Sequence, residues 1–68
     1  MQLSPREMQV LLLFADGYRR HQMAEEIGLH DSTIKMHIAR MVAKLDAKTP
    51  AHAVAIAYHK GILLIPKK

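Results

Sequence analysis

Hydrophobic residues recur at helical spacing in several short segments of the chain, and the most regular segment covers residues 31–45. Four apolar residues follow one another there at intervals of four, three and four: Ile34, Ile38, Met41 and Leu45. This spacing places the four side chains on one face of an α-helix. We therefore predict a helix over residues 31–45 that buries this face in a hydrophobic core.

Two further helices precede this one, and their ends are marked in the sequence. Ser4 and Glu7 have the spacing of a capping box, in which each side chain accepts a hydrogen bond from the other's backbone N–H, with proline at the first helical position. Gly17 is placed to end this first helix in a left-handed conformation. A second helix contains Met23 and ends at Gly28 for the same reason.

A fourth helix completes the fold. Thr49 and the proline after it repeat the pattern of a helix start, and the helix covers residues 50–60 before Gly61 ends it. Residues 62–65 have a strand-like composition but are too few to form a sheet alone. Each helix is short, so packing must hold the fold together. We predict an all-α, four-helix domain in which residues 1–68 form one unit.

The outer face of the third helix is basic and carries no carboxylate. It contains Lys35, Met36, Ala39, Arg40 and Lys44. A helix that lies in a groove of DNA faces phosphates, so acids on its outer face are unfavourable. A short helix, a glycine turn and this basic helix form the pattern of a helix-turn-helix. We therefore predict that the third helix binds double-stranded DNA.

Composition and charge narrow the range of functions. The 68 residues include no cysteine, and none of the five histidines stands three or four residues from another, so we predict no metal site and no cofactor. No nucleophile motif, acid pair or glycine-rich phosphate loop is present, so we predict no enzymatic activity. The formal net charge of +4 favours a polyanionic partner. Without a signal peptide or an apolar run of roughly 20 residues, we expect a cytoplasmic protein with no membrane contact.

Several short motifs follow one another without gaps along almost the whole chain. They are LSPRE-x-x-VL (residues 3–11), A-x-G (15–17), MA-x-x-I-x-L (23–29), TIK-x-HI (33–38), KL (44–45), AV (53–54) and GIL (61–63). In this order they resemble the DNA-binding domain of the LuxR/NarL/GerE group of bacterial transcription regulators. The resemblance implies that the third helix enters the major groove of DNA and that the fourth provides a dimer contact.

The resemblance also implies which residues of the third helix read bases. Lys35, Met36 and Ala39 match base-contacting positions of the family, and Arg40 lies beside them. Ala39 departs from the family, because it lacks the longer side chain that often reads a base at this position. This departure concerns which DNA sequence is read more than whether DNA is bound.

Further residues are implied at the sugar-phosphate backbone. Thr33, His37 and Lys44 match positions that contact the backbone or orient residues that do. Arg19 and Arg20 replace a small polar residue and an asparagine of the family, which adds positive charge where a phosphate would lie.

The fourth helix has more apolar surface than one buried face requires. We therefore predict a homodimer through residues 50–60, with Val54, Ala57 and Tyr58 at its interface. Pro50 stands where the family commonly has an arginine that contacts phosphate, so one electrostatic contact with DNA is lost.

Two other functions are compatible with the same fold. A protein-interaction module could pair through the fourth helix with a larger regulator of the same family and inhibit it without binding DNA, and Ala39 and Pro50 favour this alternative. A sigma-factor-like module that contacts RNA polymerase is the other, but the Lys-x-His arrangement and the fourth helix fit it poorly. The cations on and beside the third helix favour a sequence-specific, DNA-binding transcription regulator of a bacterium or phage, either free-standing or as the isolated effector domain of one.

Overall fold

The structure is a computed structural model that describes residues 3–63. It contains four α-helices, which are α1 (Pro5–Ala15), α2 (Arg20–Ile27), α3 (Asp31–Lys44) and α4 (Pro50–His59). No strand occurs within residues 3–63, so the predicted all-α, four-helix class is confirmed. Residues 62 and 63 form a bend rather than a strand, and residues 64–65 of the strand-like segment lie outside the described residues. None of the four helices is long and apolar enough to cross a membrane.

Local hydrogen bonds and glycine set the ends of the helices. Ser4 Oγ accepts from the backbone N–H of Glu7 at 3.1 Å, and Glu7 Oε1 accepts from that of Ser4 at 2.9 Å, which confirms the capping box. Thr49 Oγ1 caps α4 by accepting from the backbone N–H of His52 at 3.0 Å. Gly28 ends α2 with a φ of 81°, a left-handed conformation that favours glycine. This turn leads directly from α2 into α3.

Two clusters of buried side chains hold the helices together. Leu11, Met41, Leu45, Ala53, Ala57 and Leu63 form the first, and Val10, Met23 and Ile34 form the second. Both α1 and α3 contribute to each cluster, and the partly buried Ile38 packs against both. The apolar face predicted for α3 is therefore confirmed. It fixes α3 along one side and leaves the opposite side facing outward.

One ion pair joins α1 to the last turn of α3. The Glu7 side chain is 4% exposed and accepts a hydrogen bond from Lys44 Nζ at 2.7 Å. This bond and the one from the Ser4 backbone N–H lower the pKa of Glu7, against the opposing effect of burial. Because a buried carboxylate without a cation is costly, Lys44 is held to α1 rather than extended into solvent.

Candidate nucleic-acid interface

The outward face of α3 forms an exposed surface with an apolar centre, here called the reading face. Its exposed residues are Ser32, Lys35, Met36, Ala39, Arg40 and Ala43. At about 100° of rotation per residue, Met36 lies nearly opposite the buried Ile34 and Met41. Met36 is 44% exposed and belongs to neither buried cluster. Ser32 and Ala43 are absent from the residues predicted to bind DNA, although a helical projection of the sequence identifies both.

Two cations flank the centre of the reading face. Lys35 and Arg40 lie on opposite sides of Met36 around the helix axis, and both are exposed. Neither forms an ion pair or a side-chain hydrogen bond with any other residue in the described range 3–63. The reading face itself contains no aspartate or glutamate. Both charges are therefore available to an anionic ligand.

One edge of the reading face is half-buried against the rest of the domain. Thr33 and His37 lie along this edge, and Nδ1 of His37 is buried without a hydrogen-bond partner among the described residues. The Nδ1 side of the His37 ring is therefore packed against the domain itself. Lys44 lies on the same edge, but its side chain is 28% exposed and its ammonium binds Glu7. That Lys44 contacts the DNA backbone, or orients residues that do, stays a prediction, and in this structure its ammonium is bound to a buried carboxylate of α1.

A second ion pair joins the N-terminal ends of α2 and α3. Arg20 Nε lies 2.8 Å from Asp31 Oδ2, and both side chains are about half exposed. Asp31 is the first residue of α3, so its charge lies close to the start of the reading face. An exposed pair of this kind contributes little to stability. Its main effect here is that Arg20 neutralises the acid nearest the reading face, while the exposed Arg19 adds a cation beside it.

The structure revises the predicted dimer surface on α4. Ala57 is fully buried in the first cluster, so its prediction as an interface residue is wrong. Val54 and Tyr58 are half-buried and pack against the same cluster from its edge. Ala55 is exposed and lies on the side of α4 that faces away from the core. The outer surface of α4 is therefore centred on Ala55, and the half-buried Val54 and Tyr58 lie along one margin of it.

A short helix, a glycine turn and an outward-facing basic helix define a helix-turn-helix domain. Residues 1–57 match the family described as "GerE: Bacterial regulatory proteins, luxR family". This match covers most of the chain, so the protein belongs to the luxR family of bacterial regulatory proteins. The family's helix-turn-helix serves DNA binding in transcription regulation, which agrees with the class defined by the fold.

Relatives with the same type of domain are response regulators. The response regulator protein VraR from Staphylococcus aureus (strain NCTC 8325 / PS 47) and from Staphylococcus saprophyticus is in each case 31% identical over 61 residues, which is 90% of this chain and 29% of the relative. The chain thus spans less than a third of the length of these relatives. The crystal structure of response regulator ChrA, from a heme-sensing two-component system, superposes with a TM-score of 0.87 and 24% identity over 93% of this chain and 31% of that chain. This likeness supports the fold.

Proposed function

We propose that the domain binds double-stranded DNA in a sequence-specific manner, with α3 in the major groove, and that it acts as the DNA-binding part of a transcription regulator. The reading face is the observation that carries this proposal. It is exposed, contains no acid, and offers a ligand Lys35 and Arg40, which have no ion-pair partner among residues 3–63. The major groove admits an α-helix of this kind, and its walls are lined by phosphates.

The charges around the reading face suggest a separate role for each cation. Lys35 extends from the N-terminal half of α3, where recognition helices contact base edges, so we assign it to a guanine. Arg40 lies about one and a half turns further along and serves either a base or a phosphate. Arg19 lies outside α3 and contacts the backbone. Thr33 and His37 face the backbone along the half-buried edge, where a hydroxyl and a ring N–H can donate to phosphate oxygens.

We further propose that two copies act together on DNA. One helix in one groove reads only a few base pairs, so a dimer that reads two half-sites gains specificity. The outer surface of α4, with Val54 and Tyr58 at its margin, is the surface that supports a two-fold contact. The same surface is also suited to pair with the fourth helix of a larger regulator of the same family.

A titration with matched lysine variants tests the DNA-binding proposal. A duplex with a single half-site is first selected from a randomised library, and binding is then followed by fluorescence anisotropy. Lys35→Ala weakens binding by about 1–3 kcal/mol and relaxes discrimination at one base pair. Lys60→Ala removes the same charge from the exposed residue that follows α4 and leaves that discrimination unchanged.

Two results would contradict the proposal. If Lys35→Ala and Lys60→Ala behave alike, the reading face is not the interface. If the wild-type domain binds no duplex at low salt, the protein-interaction alternative takes its place, and the domain should then associate with a full-length regulator of the same family.

A further inference from the structure

We infer that the centre of the reading face recognises the 5-methyl group of thymine, so that the half-site contains a T·A pair beneath Met36 and Ala39. The inference rests on the proposed entry of α3 into the major groove. It adds the chemistry by which that face distinguishes one base pair from another.

The arrangement of side chains around α3 is the first support. Met36 and Ala39 are three residues apart, so their side chains are neighbours on the helix surface. Around the helix axis the order is Lys35, Ala39, Met36 and Arg40, which places the apolar pair between the two cations. The cations reach the phosphates or a guanine on either side. The apolar pair then lies over the base pairs in the middle of the contact.

The exposure of Met36 is the second support. A methionine that packs in the core is shielded from water, as Met23 and Met41 are, whereas Met36 is 44% exposed. It contributes to neither buried cluster, so the fold gains little from it. A single exposed apolar residue is common on protein surfaces, but this one lies next to Ala39 on the face that is proposed to enter the groove. Methionine is also flexible, so its thioether can adjust to a base edge.

The chemistry of the major groove identifies that ligand. Thymine is the only ordinary base that presents a methyl group there, whereas the other base edges present hydrogen-bond donors and acceptors. Met36 and Ala39 provide neither a strong donor nor a strong acceptor through their side chains. Covering a polar edge with them would remove water without replacing its hydrogen bonds, which is unfavourable. Covering a methyl group instead buries apolar surface on both molecules.

Replacement of thymine by deoxyuridine tests this directly, because it removes the methyl group and keeps the base-pairing pattern. The duplex is the half-site recovered by selection from a randomised library, and each thymine is replaced in turn. At one or two positions we expect affinity to fall about three- to fivefold, the effect of losing one buried methyl contact. The same T·A pair is also replaced by cytosine·guanine and by 5-methylcytosine·guanine. The methylated replacement should bind more tightly than the unmethylated one, because it restores the 5-methyl group.

A matched pair of protein variants assigns the effect to Met36. Met36→Ala shortens the side chain, so replacing thymine by deoxyuridine should then cause little or no loss of affinity. This loss is called the deoxyuridine penalty. Leu12→Ala removes a similarly exposed apolar side chain from α1, outside the reading face, and should keep the full penalty. Both variants retain the buried clusters and should remain folded, which circular dichroism verifies.

The outcomes separate this inference from the proposed function. If wild-type protein binds the selected duplex but no deoxyuridine replacement changes its affinity, the methyl inference is overturned and DNA binding stands. If Met36→Ala keeps the full penalty, Met36 does not contact the methyl group, and the inference that the pair of Met36 and Ala39 reads it is overturned. If no duplex is bound at all, the proposed function fails, and the methyl inference fails with it.

Discussion

Glu7 and Lys44 show how a single long-range contact changes the role of a residue. In the sequence Lys44 is one of several cations on α3, and nothing nearby marks it as different. The buried Glu7 lies on another helix, and only the tertiary fold brings its carboxylate within 2.7 Å of Lys44 Nζ. The amphipathic pattern of α3 could therefore predict which side is buried, but not which of its lysines is already paired.

This ion pair makes the stability of the domain depend on pH. The folded-state pKa of Glu7 is lowered from 4.5, so its stabilising contribution is present in full above that value and is lost as pH falls through the folded pKa. Glu7→Gln keeps an oxygen for the Ser4 cap but removes the charge. We expect it to lower the free energy of unfolding by about 2 kcal/mol at pH 7, and by progressively less as the pH falls below 4.5.

Urea denaturation at a series of pH values measures this difference. The charge of Glu7 is responsible for the difference if the free energies of unfolding of wild type and Glu7→Gln approach each other as the pH is lowered. A constant difference between wild type and Glu7→Gln from pH 7 to pH 3 would assign the loss to packing rather than to charge.

Asp31 is the acid closest to the reading face, and its charge is offset by Arg20. Asp31→Asn removes the repulsion from phosphates and releases Arg20 to contact them. We expect it to strengthen binding to any duplex by a few-fold, with a steeper dependence on salt concentration. Asp46→Asn is the matched control, because Asp46 is exposed beyond α3 and asparagine tolerates its positive φ of 55°.

Anisotropy titrations at two salt concentrations distinguish these variants. Equal changes in Asp31→Asn and Asp46→Asn would indicate a general effect of net charge. Weaker binding by Asp31→Asn would mean that the ion pair orients α3 and is needed intact.

At the scale of whole elements, the sequence predicts helices well and the buried face of α4 poorly. Capping residues and glycines mark the starts and ends, and α3 and α4 end within one residue of the predicted positions. The buried face of α3 is clear because its four large apolar residues recur at helical spacing, whereas the opposite face carries cations. In α4 most residues are apolar on every side, so periodicity does not separate the core residue Ala57 from the exposed Ala55. Only the packing of α4 against α1 and α3 identifies the buried face.

Two identical substitutions on α4 test this distinction. Ala57→Leu adds three heavy atoms inside the closed first cluster and should lower the free energy of unfolding by about 1–3 kcal/mol. Ala55→Leu makes the same change on the exposed side and should alter it by less than about 0.5 kcal/mol. Thermal or urea unfolding of both variants gives the comparison. Equal losses would mean that Ala55 is also enclosed, and no loss in Ala57→Leu would contradict the assigned core.

At the scale of the whole molecule, the two sides of α3 have different roles. The buried side stabilises the fold, and the exposed side is proposed to bind DNA. The helices α1, α2 and α4 pack against the buried side of α3, so the core of the domain positions the reading face. The motif pattern predicted this architecture and the outward cations. It could not predict the Arg20–Asp31 pair, because that contact depends on the angle between α2 and α3.

Assembly on DNA is tested with duplexes that carry one or two half-sites. Val54 lies at the margin of the outer surface of α4, and Val54→Glu places a charge there. We expect it to reduce affinity for an inverted repeat far more than for a single half-site, because only the former requires a dimer. Unfolding of the variant is measured in parallel. Equal losses on both duplexes, or a stable complex of one protein with the full site, would contradict a dimer through α4.

The proposed binding mode is tested most directly by following the backbone amide resonances of the domain as the selected duplex is added. If α3 lies in the major groove, the largest chemical-shift changes fall on residues 32–40 and on Arg19 and Arg20, while the middle of α1 changes little. Changes confined to α4, with the amides of Lys35 and Met36 unaffected at saturation, would contradict the binding of DNA through the reading face.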